Sequence, residues 1–335
     1  VSTGKIGKKM SDIQTKSYSG KKALRYILGI SEMPVLILFV ILFLALTLIL
    51  PNFFTKANLH ALFLSISLNS LVAIGMTFLL ASGGIDLSVG SVSGLAGGLT
   101  GFLLMNNVSI GLSVILGLLL SIVVGLFNGY TIVKLKVNPL ITTLGIMYLT
   151  RGVLFILTEG RGIPNLPEKF QAIAQRTVYG IQTPIIIMVA FLIISDLLLR
   201  KSTIFRQFYY IGQNIKTARL AGIRSNPLRI SSYITTAFLS GLSGILLASR
   251  AGGAMALAGQ GLEFRVITAC VIGGCSLEGG RGTVLGSFLG MLVMGLTVNG
   301  MNLFNVSVYW KDAIIGMILL FSLTIDVIRN RWTMR

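Results

Sequence analysis

The feature that most constrains this chain is a succession of long apolar runs, recurring from Met33 to Val327 with few interruptions. A helix rises 1.5 Å per residue, so about 20 apolar residues cross the roughly 30 Å hydrocarbon core of a bilayer. On that criterion ten segments can be drawn, at approximately 34–50, 59–80, 89–105, 109–133, 138–157, 184–199, 230–249, 264–275, 283–303 and 311–328. Charged residues make up 11% of the chain and hydrophobic ones 54%, whereas a soluble domain carries about 25% charged residues. That is too little charge to coat a water-facing surface. The expected fold is therefore all-α and membrane-embedded, with about ten transmembrane helices. A basic tail at 1–32 precedes one transmembrane domain at 33–328, and a short tail follows at 329–335.

The net charge of +18 would suit a nucleic-acid partner if the basic residues shared one surface. They are instead concentrated between the apolar runs. With the N-terminal tail placed inside, 20 of the 28 Lys and Arg residues fall in inner segments: the tail, Lys134 and Lys136, the stretch from Arg200 to Arg229, Arg281, and the C-terminal tail. This asymmetry follows the positive-inside rule. It places both termini in the cytoplasm, with lipid and not nucleic acid around the protein. The first run should remain as a helix, since Leu-Pro-Asn-Phe-Phe at 50–54 offers no small-residue cleavage site. Two long polar connections then lie on opposite sides, 158–183 outside and 200–229 inside. The inner one carries seven basic residues and no acidic one, as a segment resting on anionic lipid would.

Glycine supplies 39 residues, and in lipid small residues let helix backbones approach closely. Gly90, Gly94 and Gly98 recur at every fourth position, as do Gly282, Gly286 and Gly290. Each set is expected to line a packing seam on one helix face. Upstream of them, the stretches starting at Gly83-Gly84 and Gly273-Gly274 share four positions at equal spacing, which points to two weakly related halves. The run after Leu262 is short for a span and suggests a broken helix. Such a break is tolerable only inside protein or against a watery cavity.

Polar groups at membrane depth are the candidate pathway residues: Asn69, Asp86, Ser88, Asn128, Arg151 and Asn299. Asp86 and Ser88 can equally cap the following helix, and the three asparagines can equally bond neighbouring helices. Arg151 needs a partner, a cavity or a snorkelling route. No catalytic site emerges: there is no phosphate-cradling Gly-x-x-x-x-Gly-Lys-Ser/Thr loop, and His60 is the lone histidine. Cys270 and Cys275 form neither a disulfide framework nor a zinc site. No cofactor or metal is expected on this chain, and energy for active transport would have to come from another subunit.

Several ordered motifs carry a resemblance. They are Ser-Gly-Gly-Ile-Asp-Leu-Ser-Val-Gly at 82–90, Asn128-Gly129, Asn-Pro-Leu-Ile-Thr-Thr-Leu-Gly at 138–145 with Arg151-Gly152, Ile-Gly-Gln-Asn at 211–214, Ala218 to Ile223, and the glycine-rich stretch at 273–286. From about residue 35 to 330 the chain resembles the permease subunits of bacterial ATP-binding-cassette importers for ribose, xylose, arabinose, galactose and related solutes. The resemblance implies a multi-pass protein of the bacterial cytoplasmic (inner) membrane that moves a monosaccharide inward. ATP and magnesium would be held by a partner ATPase with two nucleotide-binding modules. The other implied partners are an extracytoplasmic sugar-binding protein, docking on 158–183, and a second permease chain, identical or not. The segment from Ile211 to Ile223 would contain the short helix that docks into the ATPase, with Gly212, Asn214, Ala218, Arg219, Gly222 and Ile223 as coupling residues. Lys216-Thr217 departs from the acidic residues common there. Two other readings stand beside this one. In an ion-coupled carrier or channel Asp86 would be an ion site, whereas an intramembrane enzyme would need a nucleophile–base pair, of which none is visible.

Overall fold

A computed structural model describes residues 32–333, so the basic tail at 1–32 lies almost wholly outside the described residues. The chain is helical almost throughout: α1 (Met33–Ile49), α2 (Lys56–Ala81), α3 (Val89–Met105), α4 (Ile110–Val133), α5 (Pro139–Thr158), α6 (Glu168–Gln175), α7 (Thr183–Lys201), α8 (Thr203–Gln213), α9 (Ile215–Leu220), α10 (Ser225–Ala251), α11 (Leu262–Ile272), α12 (Val284–Leu303) and α13 (Val308–Thr333). Two-residue strands β1 (Thr177–Val178) and β2 (Ile181–Gln182) form an antiparallel hairpin between α6 and α7. Helix starts are written locally. Proline occupies the first turn of α1, α5 and α7, where its missing N–H costs no bond. The side chains of Thr55, Asn138 and Thr283 accept first-turn N–H groups of α2, α5 and α12.

Every apolar run became a helix, but not all are spans of full length. Among the described residues six helices are long and apolar enough to cross a membrane: α2, α4, α5, α7, α10 and α12. α1 and α3 are shorter apolar helices. α11, where a run at 264–275 was expected, has only 11 residues and is about 16 Å long.

Burial sorts the helices into two groups. α2, α10 and α12 bury most of their residues, and α3 is buried over nearly its whole length. By contrast, α4, α5 and α7 each bury only 22% of their most apolar stretch and turn Leu, Ile, Val and Phe outward, as side chains solvated by lipid do. The core thus sits around α2 and α3, with α10 crossing α2, α3 and α4.

Glycine sets the closeness of this packing. Gly97 faces the Gly244 carbonyl and Gly244 in turn faces the Ser93 backbone, so α3 and α10 touch backbone to backbone. Gly286 and Gly290 lie against the backbone of Gly273 and Ala269 and bring α12 onto α11. Gly282, expected on that same face, instead precedes the helix with a φ of +133° and packs on Cys275. A residue with an L side chain is disfavoured at that dihedral, so Gly282 belongs to the turn chemistry of the loop. Cys270 and Cys275 are both free and buried.

Candidate functional site

The sequence-selected residues lie in four places: a junction, a buried network, an irregular segment and a cleft. The first is a junction at the end of the bundle that carries the basic 200–229 segment. There the two Gly-Gly loops meet each other and α8. Gly83, at the end of α2, is close to Gly212 and Glu278, and Gly279 is packed on Gly212 and Gly83. The Gly280 N–H donates to the Ala81 carbonyl at 3.0 Å. Gly212 fills the gap between them, and a Cβ there would run into Ala81 O and Gly280 N. The Tyr209 hydroxyl donates to the Gly282 carbonyl at 2.7 Å. Burial pushes that hydroxyl up to about 12, so it remains a proton donor at any physiological pH. Phe205 and Phe208 pack against Phe78 of α2 with tilted and edge-on rings, and these apolar residues hold the buried face of α8.

α9 projects beyond this junction. Asn214 caps it, its side-chain oxygen accepting from Lys216 N at 2.9 Å and Thr217 N at 3.2 Å. Ala218 is its buried face. Gly222, at φ +80°, ends it as a left-handed C-terminal residue, and the Ile223 N–H returns to Ala218 O at 3.0 Å. Arg219 reaches Ser225 Oγ at 2.8 Å and Asn226 Oδ1 at 3.0 Å, which fixes α9 to the head of α10. The residues picked from sequence therefore shape and hold this helix. Its exposed tip is Leu220, 89% accessible, which sequence reasoning did not single out. The sequence offered no distinct signal for it, since Leu220 is one of several apolar residues in that basic segment, Ile215 and Ile223 among them.

The second group is a buried network. Asp86 Oδ1 accepts from Ser88 N at 2.7 Å and Ser88 Oγ at 2.6 Å. The Asn128 amide of α4 donates to Asp86 Oδ2 at 3.2 Å and to Ser88 Oγ at 3.0 Å. Asp86 thus ties α4 to the turn before α3. Ser88 donates its hydroxyl to Asp86, and its side chain caps no helical N–H. None of these three residues lines the cavities described below.

The third place is an irregular segment, 252–261, between α10 and α11. Its Ala254 exchanges two backbone hydrogen bonds with Ile163, at 2.7 and 2.8 Å. From there it descends along α3: Gly101 faces Ala254, Gly94 faces Ala258 and Gly90 faces Gly259. Gly90 and Gly101 are about 16 Å apart on the helix, so the segment enters the bundle by that distance before α11 begins. Gly90, Gly94 and Gly98, expected to line a helix-packing seam, face this segment and Leu154 and not one neighbouring helix. The Arg151 guanidinium donates to Ala258 O at 2.6 Å and has Glu263, in the first turn of α11, as its charged neighbour. Glu263 is buried, with Oε2 lacking a hydrogen-bond partner and directed at Gly90.

Two clefts flank the head of α11. A narrow one of about 150 Å³, between α2, α11 and α12, is lined by Ser65, Asn69, Arg265, Asn299 and Asn302 among others. A wide one of about 1010 Å³ lies between α11, α12 and α13. Asn69 and Asn299 thus border a cavity, while Asn299 also exchanges two amide hydrogen bonds with Asn58, at 2.7 and 3.1 Å. Arg265 borders both clefts and was not selected from the sequence.

Comparison with known proteins gives one family and a set of relatives. A family model described as "branched-chain amino acid transport system / permease component" matches residues 58–323. The L-arabinose transport system permease protein AraH of Escherichia coli strain K12 is 40% identical over 291 residues, 87% of this chain and 89% of AraH. The ribose import permease protein RbsC of Bacillus subtilis strain 168 is 36% identical over 278 residues, 82% of this chain and 86% of that one. The autoinducer 2 import system permease protein LsrC of Photorhabdus laumondii is 34% identical over 295 residues, 88% and 89% of the two chains. No solved structure matches the chain.

Proposed function

Since this chain belongs to the family of branched-chain amino acid transport system permease components, we propose that it is the membrane-spanning subunit of an ATP-driven importer in a bacterial inner membrane. Its cargo in this reading is a monosaccharide or a similar small polyol. The relatives named for L-arabinose, ribose and autoinducer 2 import support that class. In this reading the chain crosses ten times with both termini in the cytoplasm, α11 completing its crossing together with the 252–261 segment, and the halves bearing Gly83-Gly84 and Gly273-Gly274 are structural counterparts.

The observation that carries the proposal is the junction at Gly212. An exposed short helix, α9, is joined to α8 by the single extended residue Asn214, and α8 is wedged against the loops closing α2 and α11. A partner that displaces α9 therefore pulls on both Gly-Gly loops at once. In this mechanism an ATPase with two nucleotide-binding modules binds ATP, closes, and draws α8 and α9 with it. The permease, paired with a second permease chain, shifts between inward- and outward-open states. Coupling belongs to Gly212, Asn214, Ala218, Arg219, Gly222 and Ile223 as the frame of α9. The opposite end receives the sugar-binding protein on 158–183, where α6 and the β1–β2 hairpin stand. Asn69, Arg151 and Asn299 stay as pathway candidates; Asp86, Ser88 and Asn128 act as the clamp on the α3 turn.

The test is reconstitution. Liposomes holding this chain with its ATPase should take up sugar from a loaded binding protein only when ATP is present inside. Uptake driven by an ion gradient, with no ATPase retained on purification, would favour an ion-coupled carrier and overturn the proposal.

A further inference from the structure

The wide cleft between α11, α12 and α13 is lined by an unusual set of side chains for a membrane-embedded surface. Gln260, Phe264 and Arg265 come from α11 and the turn before it, Asn302 from α12, and Tyr309 and Asp312 from α13. An ionisable group within a membrane segment is costly unless it is paired or serves a solute. Arg265 is only partly provided for. Its Nη2 donates to the Gln260 carbonyl at 3.0 Å, and Glu263 and Asp312 are its charged neighbours. Its Nε is buried with no hydrogen-bond partner. Arg265 also borders the narrow cleft that leads to Asn69 and Ser65.

We propose that this cleft is a binding station for the transported polyol, with Arg265 and Asp312 contacting its hydroxyls and Phe264 and Tyr309 covering its ring. The inference rests on the importer reading above and assigns a place and a chemistry to the cargo. A sugar hydroxyl both donates and accepts, so its site needs both kinds of group close together. Guanidinium, carboxylate and two amides supply them here. The apolar faces of a sugar ring need flat side chains, and Phe264 and Tyr309 are both exposed on the cleft wall. A volume of about 1010 Å³ is at the upper end for a small-molecule site, ~300–1,000 Å³, leaving room for a monosaccharide with its water. The position is apt as well. α11 begins where the 252–261 segment stops, so Arg265 stands inside the bundle at the boundary between the wide and the narrow cleft. A solute moving from one to the other passes its guanidinium.

The experiment uses the full importer in liposomes, with L-arabinose and D-ribose as the probes. Arg265→Gln and Asp312→Asn are expected to lower ATP-dependent uptake at least tenfold while the ATPase still co-purifies. Arg265→Lys, which keeps the charge but loses the planar fork, should recover only part of it. In a second arm, Asn302→Cys is labelled with a membrane-impermeant thiol reagent during turnover, Cys270 and Cys275 being buried. Labelling should slow at least threefold when the sugar-loaded binding protein and ATP are added together. Uptake within twofold of the parent in both Arg265→Gln and Asp312→Asn would overturn the station and leave the importer reading intact. Labelling of Asn302→Cys that ignores sugar would do the same and mark the cleft as a lipid crevice. Absence of ATP-dependent uptake in the unaltered importer would instead overturn the importer reading, and the station with it.

Discussion

Gly212→Ala tests the junction most directly. A methyl group there meets backbone on two sides, Ala81 O and Gly280 N, and neither can rotate away as a flexible side chain would. Forcing one extra methyl into packed surroundings costs roughly 1–3 kcal/mol. Separating the two loops also breaks the 3.0 Å Gly280-to-Ala81 hydrogen bond, worth about 1 kcal/mol net. The sum, roughly 2–4 kcal/mol, shifts the balance between gripped and released α8 by roughly 30- to 700-fold, at 1.4 kcal/mol per factor of ten. Gly145→Ala is the matched control, because nothing lies within 4 Å of a Cβ there and a helix gains about 1 kcal/mol from the exchange. We expect Gly212→Ala to melt several degrees below the parent in a detergent thermal scan and to lose most sugar uptake in cells lacking the native copy. Gly145→Ala should melt at or slightly above the parent and transport sugar like it. If Gly212→Ala melts and transports like Gly145→Ala, the junction does not transmit force and the reasoning fails.

Three further outcomes follow from other contacts. Arg151→Ala removes the hydrogen bond to Ala258 O and the charge beside Glu263 and should cost roughly 1–3 kcal/mol, and adding Glu263→Gln should restore part of the melting temperature. Asp86→Asn sets an amide against the Asn128 amide and should cost roughly 1–3 kcal/mol, whereas the double exchange with Asn128→Asp re-pairs donor and acceptor and should recover it. A thermal scan of the four proteins decides both the sign and the coupling. Leu220→Asp should leave melting unchanged, since Leu220 is 89% exposed, yet reduce ATPase retention on an affinity column at least tenfold; full retention would remove α9 from the docking surface.

The helices were legible because lipid solvation demands long apolar runs, and the runs from Pro139 and from Val284 carry their own start signals in Asn138 and Thr283. The junction was half legible. Glycine spacing announced close approach at Gly90 and Gly286, but a glycine states only that something comes near. That the neighbour of Gly90 is the Gly259 backbone, in an irregular stretch, depends on tertiary contacts 169 positions away. The 252–261 segment had no signal of its own, since its Gly and Ala residues carry no periodicity. The charged head of α11 was missed for a related reason: Arg265 and Asp312 are far apart in sequence, and each taken alone is a charge at the edge of an apolar run. Asp86 was legible as a turn residue, and its bond to Asn128 identifies which helix that turn is fastened to.

Gly212 touches the loop after α2 and the loop after α11 in a single place. Two levers joined by one pin cannot swing independently, so a push on α9 has one stroke available to it and not two. A permease geared in this way should show a sharp, concerted change in any spectroscopic distance between its halves, with no long-lived state in which only one loop has moved.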